Sequence, residues 1–424
     1  MIERFTGLLR SYLVQNGEFA LKRISDIDIS DALSIEDFGI YIHIPFCKNY
    51  CPYCPYNKIM YEKILVEPFL KSIKKEIEIY GKYLKGKNIK SIYIGGGTPT
   101  NIIEHIGEIL EEVKKWFNID GSICIETNPS DINEENVKKL KEYGIDIISC
   151  GVQSFQDKFL KFIGRNYDSK ILPEKIKLLI HSGFKSINID LMFALPEQNT
   201  NDIINDLDKA IELGIKQITT YPLFTFPYSK VGKFLKLKNV KMPNIFKRRI
   251  MYRTIHSYLL KNGFKRVSVW GFIKGNEPRY SSVTRDFYIG FGPGAGSSLK
   301  NAYYLNTFSF NHYVDILKEG KFPVSLKMEL TDDMRRYYWF YWRLYDTIIK
   351  EDDFNRLFKD DNRVKKIIEI SHILGFYKME DGNIVLNERG SFYLHLLQNY
   401  FLLNYINKVW SKAMEEPFPE KIIL

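Results

Sequence analysis

The stretch Y-I-H-I-P-F-C-K-N-Y-C-P-Y-C-P-Y, from Tyr41 to Tyr56, decides how this chain is read. It places three of the five cysteines, Cys47, Cys51 and Cys54, in a C-x3-C-x2-C array directly after a β-branched apolar run that predicts a strand. A strand that delivers three thiolates to a tight loop is a metal site, and the number three carries information. A structural zinc site takes four closed ligands, whereas three cysteines on a cubane [4Fe-4S] cluster leave one iron free to bind something else. A zinc site completed by His43 is the alternative, weakened because strand alternation aims His43 only loosely toward the cysteines. A disulfide framework is disfavoured: no secretory signal precedes the array, and Cys124 and Cys150 sit in apolar strand-like runs as core residues.

Outward from the array, a strand-then-helix rhythm is predicted. The strands are Gly39–Ile44, Ile89–Ile94, Ser122–Glu126, Asp146–Val152, Ser186–Met192 and Gln217–Pro222. The helices between them are Val66–Leu84, Ile102–Trp116, Asn133–Tyr143, Ser169–Ser182 and Thr200–Leu213. Six such units predict an α/β fold, a partial or complete (β/α)6 TIM-like barrel with right-handed crossovers. Chemistry in that architecture collects at the carboxyl ends of the strands. The residues found there are the cysteines, the Gly95-Gly96-Gly97-Thr98 turn, Glu126, Gln153 and, within the fifth strand, Asp190. Each alone reads as an ordinary polar strand end; their convergence on one rim is the functional signal.

At 424 residues the chain is long enough for a large domain and a smaller one. The boundaries expected are an N-terminal segment 1–38, a barrel with a glycine-rich extension 39–300, a connector 301–324 and a helical domain 325–424. The Met1–Arg10 start is a mixed amphipathic segment, and no apolar run approaches bilayer-spanning length, so a cytoplasmic protein without a transmembrane segment is expected. The net charge is +10, and between Glu212 and Glu277 there are fourteen lysines and arginines and no acid. That interval predicts a positive field for an anionic small-molecule substrate, an acidic electron donor such as a flavodoxin or ferredoxin, or a lipid surface. A solvated basic face is the plain alternative, and no nucleic-acid module accompanies it.

Past the sixth strand, Phe224–Asn244 reads as a long aromatic and lysine-rich loop or lid, Phe246–Asn262 as a helix and Arg266–Phe272 as a strand. From about Ser325 the pattern becomes helical. Thr331 caps a helix whose first turn holds Asp332 and Asp333, and its aromatic run Tyr337–Trp342 divides between core and lid. Helices at Glu351–Phe358 and Val364–Leu374 and a hairpin at Phe376–Val385, turning at Asp381-Gly382, complete a winged-helix-like unit.

The cysteine array after Y-I-H-I-P-F, then I-G-G-G-T-P-T, then G-V-Q-S-F-Q with Gly164-Arg165, then I-D-L-M-F-A-L-P at Ile189–Pro196, resembles the radical S-adenosylmethionine superfamily. Within it, the wording is similar to the oxygen-independent coproporphyrinogen III oxidase-like branch, which also contains haem chaperones and methylating or cyclopropanating enzymes. The resemblance runs from about Gly39 to Leu299. It implies that Cys47, Cys51 and Cys54 hold a [4Fe-4S] cluster whose open iron chelates S-adenosylmethionine, with Tyr41 against both. It implies that Gly96, Gly97 and Thr98 meet the methionine amino end, that Glu126 pairs with its ammonium and Arg165 with its carboxylate, and that Gln153 and Asp190 contact the ribose or sulfonium. Tyr53 and Tyr56 would shield the cluster.

The activity implied is reductive cleavage of the cofactor to a 5′-deoxyadenosyl radical, acting on a bulky, anionic, tetrapyrrole-like substrate as an oxidoreductase or methyltransferase. Two alternatives accompany it: a carbon methyltransferase or cyclopropanase using two S-adenosylmethionine molecules, and a haem chaperone without turnover. The segment Gly290–Ser298 resembles one that borders a second cofactor or substrate site in this branch. Two departures are visible. Tyr280–Tyr288 lacks the histidine that the branch's haem carriers have there, and Tyr56 stands where the oxidases have a fourth cysteine.

Overall fold

The computed structural model of the chain describes residues 19–226, 229, 241–280 and 286–424. The Met1–Arg10 reading, most of the lid expected over Phe224–Asn244 and residues 281–285 of the Tyr280–Tyr288 departure lie outside the described residues.

Six strands, β1 (Asp37–Ile44), β2 (Asn88–Gly96), β3 (Asn118–Thr127), β4 (Ile147–Gln153), β5 (Ser186–Phe193) and β6 (Gln217–Pro222), lie side by side in chain order, each parallel to the next. Their side chains alternate between two environments, as the pleat requires. Ile40, Ile42, Ile44, Ile92, Ile94, Ile123 and Ile125 face outward into one core shared with the crossover helices. Tyr41, Tyr93, Cys124 and Ile147, neighbours across the register, face the concave side. The helix after β1, α1 (Lys63–Leu84), buries Val66, Phe69, Leu70, Ile73, Ile77, Tyr80 and Leu84 at helical spacing.

The sheet does not close. Beyond β1 it continues through Tyr288–Phe291, parallel to β1, and then through antiparallel strands Gly296–Ser298, Ala302–Asn306, Val324–Glu329, Ala20–Arg23 and Lys421–Ile423. The other edge is a hairpin of Lys265–Arg266 and Gly271–Ile273 packed on β6. The fold is a central parallel sheet curved into a partial barrel. Several expectations differ in detail. Arg266–Phe272 is not one strand but a tight hairpin, because the Ser268 hydroxyl accepts the Gly271 amide at 2.8 Å and turns the chain. The 301–324 stretch expected as a connector holds the strand Ala302–Asn306 and the helix Phe310–Lys318, and Val324–Glu329 joins the sheet.

The C-terminal helical portion has its own small core of Tyr337, Phe340, Phe358, Val364 and Ile384. The Thr331 hydroxyl caps Met334 at 3.2 Å, and the wing turns at Asp381-Gly382, both with positive φ. A long helix from Glu388 to Phe401 runs on through a π turn, Leu402–Ile406, to Asn407–Glu415, and was not anticipated. The basic interval supplies its docking. From the helix Ile245–Lys261, Arg249 forms a bidentate ion pair with Glu388 and Arg248 reaches His395 at 3.0 Å, while Arg266 donates to the Leu386 carbonyl. These three arginines join the barrel to the C-terminal helices, while Lys230, Lys233, Lys236 and Lys238 of the same interval lie outside the described residues.

Glu76 on α1 is fully buried and accepts hydrogen bonds from the Gly292 amide at 2.8 Å, Asn306 Nδ2 at 2.7 Å and the Tyr313 hydroxyl at 2.6 Å. One carboxyl thus ties α1 to three separate later segments. Burial pushes it from the ordinary value of 4.5 up to about 8. The folded chain therefore holds the proton that the unfolded chain releases between those values, and stability is expected to fall as pH rises from about 4.5 to 8. Glu76→Gln should flatten that slope in denaturant titrations across the range. Arg249→Met leaves Glu388 half-buried without its partner and is expected to weaken docking of the C-terminal helices by about 1–2 kcal/mol. Limited proteolysis should then cut between 388 and 415 before it cuts the barrel.

Candidate functional site

At the end of β1 the chain forms a two-residue parallel bridge, Phe46–Cys47 against Ile59–Met60, which closes the cysteine loop at its base. The Ile59 amide donates to the Pro45 carbonyl at 2.8 Å and the Tyr61 amide to the Cys47 carbonyl at 2.9 Å. Inside the loop the Cys54 amide turns back onto the Cys51 carbonyl at 3.1 Å. Cys47, Cys51 and Cys54 are free thiols that line one cavity of about 760 Å³ on the concave side of the sheet. Cys124 and Cys150 are buried within β3 and β4. Burial pushes the Cys47 thiol up to about 12 and raises Cys54 as well, with the Lys58 ammonium opposing both shifts. Among the described residues no three His, Cys, Asp or Glu side chains are gathered as a single bound ion requires.

The zinc alternative fails on His43. Its Nδ1 lies 2.8 Å from the Tyr41 hydroxyl and its Nε2 2.9 Å from the Asn57 carbonyl. Burial holds the ring neutral by lowering its pKa to about 4, so one nitrogen donates to the carbonyl and the other accepts from the tyrosine. No lone pair is left for a metal. Tyr41, expected against cluster and cofactor, spends its hydroxyl on His43 and stacks on Tyr93 behind the cavity wall.

The end of β2 lies directly across the loop. The Gly97 amide donates to the Ile44 carbonyl at 2.8 Å, and the Thr98 amide to the Phe46 carbonyl at 2.9 Å. Gly96 has φ +116°, and a Cβ there would meet the His43 ring at 2.8 Å; one at Gly97 would lie 2.6 Å from the Phe46 carbonyl oxygen. Only glycine lets this turn cross the cysteine loop so closely. Gly96, Gly97 and Thr98 all line the cavity.

Four further expected residues face the same space. Glu126 accepts from Tyr93, whose hydroxyl also meets that of Tyr280, and from the Gly96 amide at 3.3 Å. Burial raises its pKa. Asp190 accepts from Asn188 at 2.9 Å and Ser149 at 3.4 Å, and burial followed by repulsion from Glu126 lifts it to about 7. Gln153 stands at a bulge in β4 with φ 70° and accepts the Tyr221 hydroxyl at 2.6 Å. Arg165 donates to the Tyr53 hydroxyl at 3.1 Å, and its buried Nε has no partner. A Cβ at Gly164 would strike the Pro52 ring at 2.6 Å, which explains the glycine that sets the arginine beside the cysteine loop.

This donor set fits the groups that the sequence implies. Three thiols suit an iron–sulfur cluster, two carboxylates without an ion pair among the described residues suit an ammonium or sulfonium, and the Arg165 guanidinium on the cavity wall suits a carboxylate. Three features were not anticipated. Lys58 Nζ donates to the carbonyls of Cys54 at 2.8 Å and Tyr56 at 3.1 Å, placing a charge beside the thiols. The outer cavity wall comes from C-terminal aromatics: Tyr341, Trp342 and Tyr345, on the flank of their helix beside the core residues Tyr337 and Phe340, and Trp410, which packs on Tyr56 at 5.5 Å. The aromatic run gave a signal for the first three; nothing local marks Trp410. The third concerns Gly290–Ser298, which does not border the cavity at all. Gly292 lies against the His43 carbonyl and Gly294 against Asn57, behind the cysteine loop.

The profile of the radical SAM superfamily matches residues 41–210. The chain is 29% identical over 300 residues to a Bacillus subtilis protein named heme chaperone HemW, covering 69% of this chain and 79% of that one. It is 25% identical over 315 residues to the oxygen-independent coproporphyrinogen III oxidase of Cereibacter sphaeroides, covering 70% of each. The solved structure of coproporphyrinogen III oxidase from Escherichia coli has the same fold, with a TM-score of 0.74 over 89% of this chain and 93% of that one at 19% identity. Residues 41–210 are a radical SAM domain, carried in a chain that resembles the oxygen-independent coproporphyrinogen III oxidases in sequence and fold.

Proposed function

We propose that this chain is a radical S-adenosylmethionine enzyme that acts on a bulky, tetrapyrrole-sized substrate carrying anionic groups. The observation that carries the reading is that three free thiols share one cavity with the glycine turn, Glu126, Arg165 and Asp190. Cys47, Cys51 and Cys54 would hold a [4Fe-4S] cluster, and Gly96, Gly97, Thr98, Glu126, Gln153, Arg165 and Asp190 would hold S-adenosylmethionine. When bound, that pair supplies a hydrogen-abstracting 5′-deoxyadenosyl radical.

The protein's own contribution is orientation and exclusion of water. Backbone amides of the glycine turn are spent on the cysteine loop, so the turn offers the ligand shape rather than a flexible surface. Arg165 is held by Tyr53 on the cavity wall, which sets a guanidinium beside the cysteine loop for a carboxylate. Glu126 and Asp190, both raised by burial, gain a favourable cation when a positively charged ligand enters, and their ionisation then follows binding. The aromatic wall of Tyr341, Trp342, Tyr345 and Trp410 gives the outer part of the cavity flat apolar faces, suited to a ring system. An acidic flavodoxin or ferredoxin is the electron donor we expect.

The relatives named heme chaperone support a second reading, in which the chain carries haem and does not turn over. A third, in which a second S-adenosylmethionine donates a methylene, differs by its product, S-adenosylhomocysteine.

Reconstituted anaerobically and reduced with dithionite, the wild-type chain is expected to form 5′-deoxyadenosine, and Cys54→Ser to form none and to lose the cluster's visible absorption. An intact cluster with stoichiometric haem binding and no deoxyadenosine would turn the decision to the haem carrier. Lys58→Met removes a positive charge beside the thiolates and is expected to lower the cluster's midpoint potential, while Lys58→Arg keeps it near wild type. Potentiometric titration read by electron paramagnetic resonance checks the pair.

A further inference from the structure

The cysteine loop is bridged to the sheet at its base and touches Arg165 through Tyr53 and Trp410 through Tyr56, and the arm that runs on past Cys54 has a further anchor of its own. Asn57 is on that arm and does not line the cavity. Its carbonyl accepts His43 Nε2 at 2.9 Å. Its side-chain amide donates one N–H to the Pro293 carbonyl at 3.1 Å and the other to the Phe308 carbonyl at 3.0 Å. Gly294, with φ +78°, leaves the room for this: a Cβ there would sit 3.0 Å from Asn57 Nδ2.

The surface that receives Asn57 is itself rigid. The Gly292 amide is fixed by Glu76, Asn306 Nδ2 reaches both Glu76 and the Gly292 carbonyl at 3.0 Å, and the Gly294 amide donates to the Thr307 carbonyl at 2.9 Å. The glycine-rich segment is therefore a socket, and Asn57 is the side chain seated in it. Both carbonyls belong to the backbone, so only a side chain with two N–H donors satisfies them. Aspartate has the same shape but would aim lone pairs at lone pairs, and alanine would leave two inward carbonyls bare.

We infer that Asn57 is a positioning residue that holds the cysteine loop in its cluster-accepting shape by docking it on the Gly292–Phe308 socket. The role toward the cluster rests on the radical S-adenosylmethionine reading, whereas the docking of the loop does not. Neither Asn57 nor Pro293 and Phe308, whose carbonyls receive it, line the cavity.

The test uses the full-length chain as wild type, Asn57→Ala and Asn57→Asp. In the metal-free proteins, alkylation by iodoacetamide is followed at each cysteine by mass spectrometry, with Cys124 and Cys150 as internal reporters of global unfolding. Cys51 and Cys54 are expected to react about tenfold faster in the alanine variant and faster again in the aspartate variant, with Cys124 and Cys150 unchanged. In the reconstituted proteins, loss of iron to a chelator is expected to accelerate about tenfold in the same order. Loop thiols that react at the wild-type rate in both variants would overturn the inference. So would parallel acceleration at Cys124 and Cys150 in the milder alanine variant. A wild-type chain that takes up no cluster would instead overturn the cofactor reading, and the alkylation rates would still judge Asn57.

Discussion

Two backbone hydrogen bonds govern the site: Gly97 onto the Ile44 carbonyl and Thr98 onto the Phe46 carbonyl. They lock the exit of β2 across the exit of β1, and every chemical group in the cavity is placed relative to that crossing. The glycines are required by contact, since a side chain at either would collide with His43 or with the loop backbone. Once the crossing is set, parallel register carries the geometry along the sheet. Tyr93 sits opposite Tyr41, and Glu126 ends the next strand where its carboxylate meets the Gly96 amide. The bulge in β4 then turns Gln153 inward, and Asp190 follows on β5.

The concave side of the sheet departs from the usual all-apolar interior of a small barrel. Carboxylates, amides and tyrosine hydroxyls replace aliphatic layers, and most are satisfied by one another: Asn188 links Asp190, Ser149 and Thr219 in one network. Such an interior costs desolvation that these mutual hydrogen bonds offset only in part, and the upward shifts of Glu126 and Asp190 are its signature. Aliphatic packing is moved instead to the outer face, where isoleucines from the strands and helices make one continuous core.

Much of this was legible in the sequence, for local reasons. Isoleucine-rich runs of five to eight residues bounded by turn residues gave the six strands, the periodicity of Val66–Leu84 gave α1, and Asp381-Gly382 gave the wing. Glu126, Gln153, Arg165 and Asp190 were recognisable because each follows or lies in a readable strand or motif. What escaped depends on distant partners. Ala20–Arg23 and Lys421–Ile423 are too short to declare themselves: the first is a strand because it lies between Val324–Glu329 and Lys421–Ile423, the second because it pairs with the first at the sheet edge. Charge counts along the basic interval do not reveal that Arg249 faces Glu388. The glycine-rich Gly290–Ser298 segment was readable as a place of close approach, and Asn57 and His43 are the residues that lie against it.

The distance along the chain between Asn57 and its socket has a consequence for the order of events in synthesis. Strands β1 to β6 pair with near neighbours and span 37 to 222, whereas the carbonyls that receive Asn57 lie 236 and 251 residues downstream of it. A chain emerging from the ribosome carries its three cysteines, and the strands able to flank them, long before Pro293 and Phe308 have been made. During that interval the loop has its base bridge but not the Asn57 anchor, so the docked shape of the arm that carries Cys54 waits for the C-terminal half of the chain.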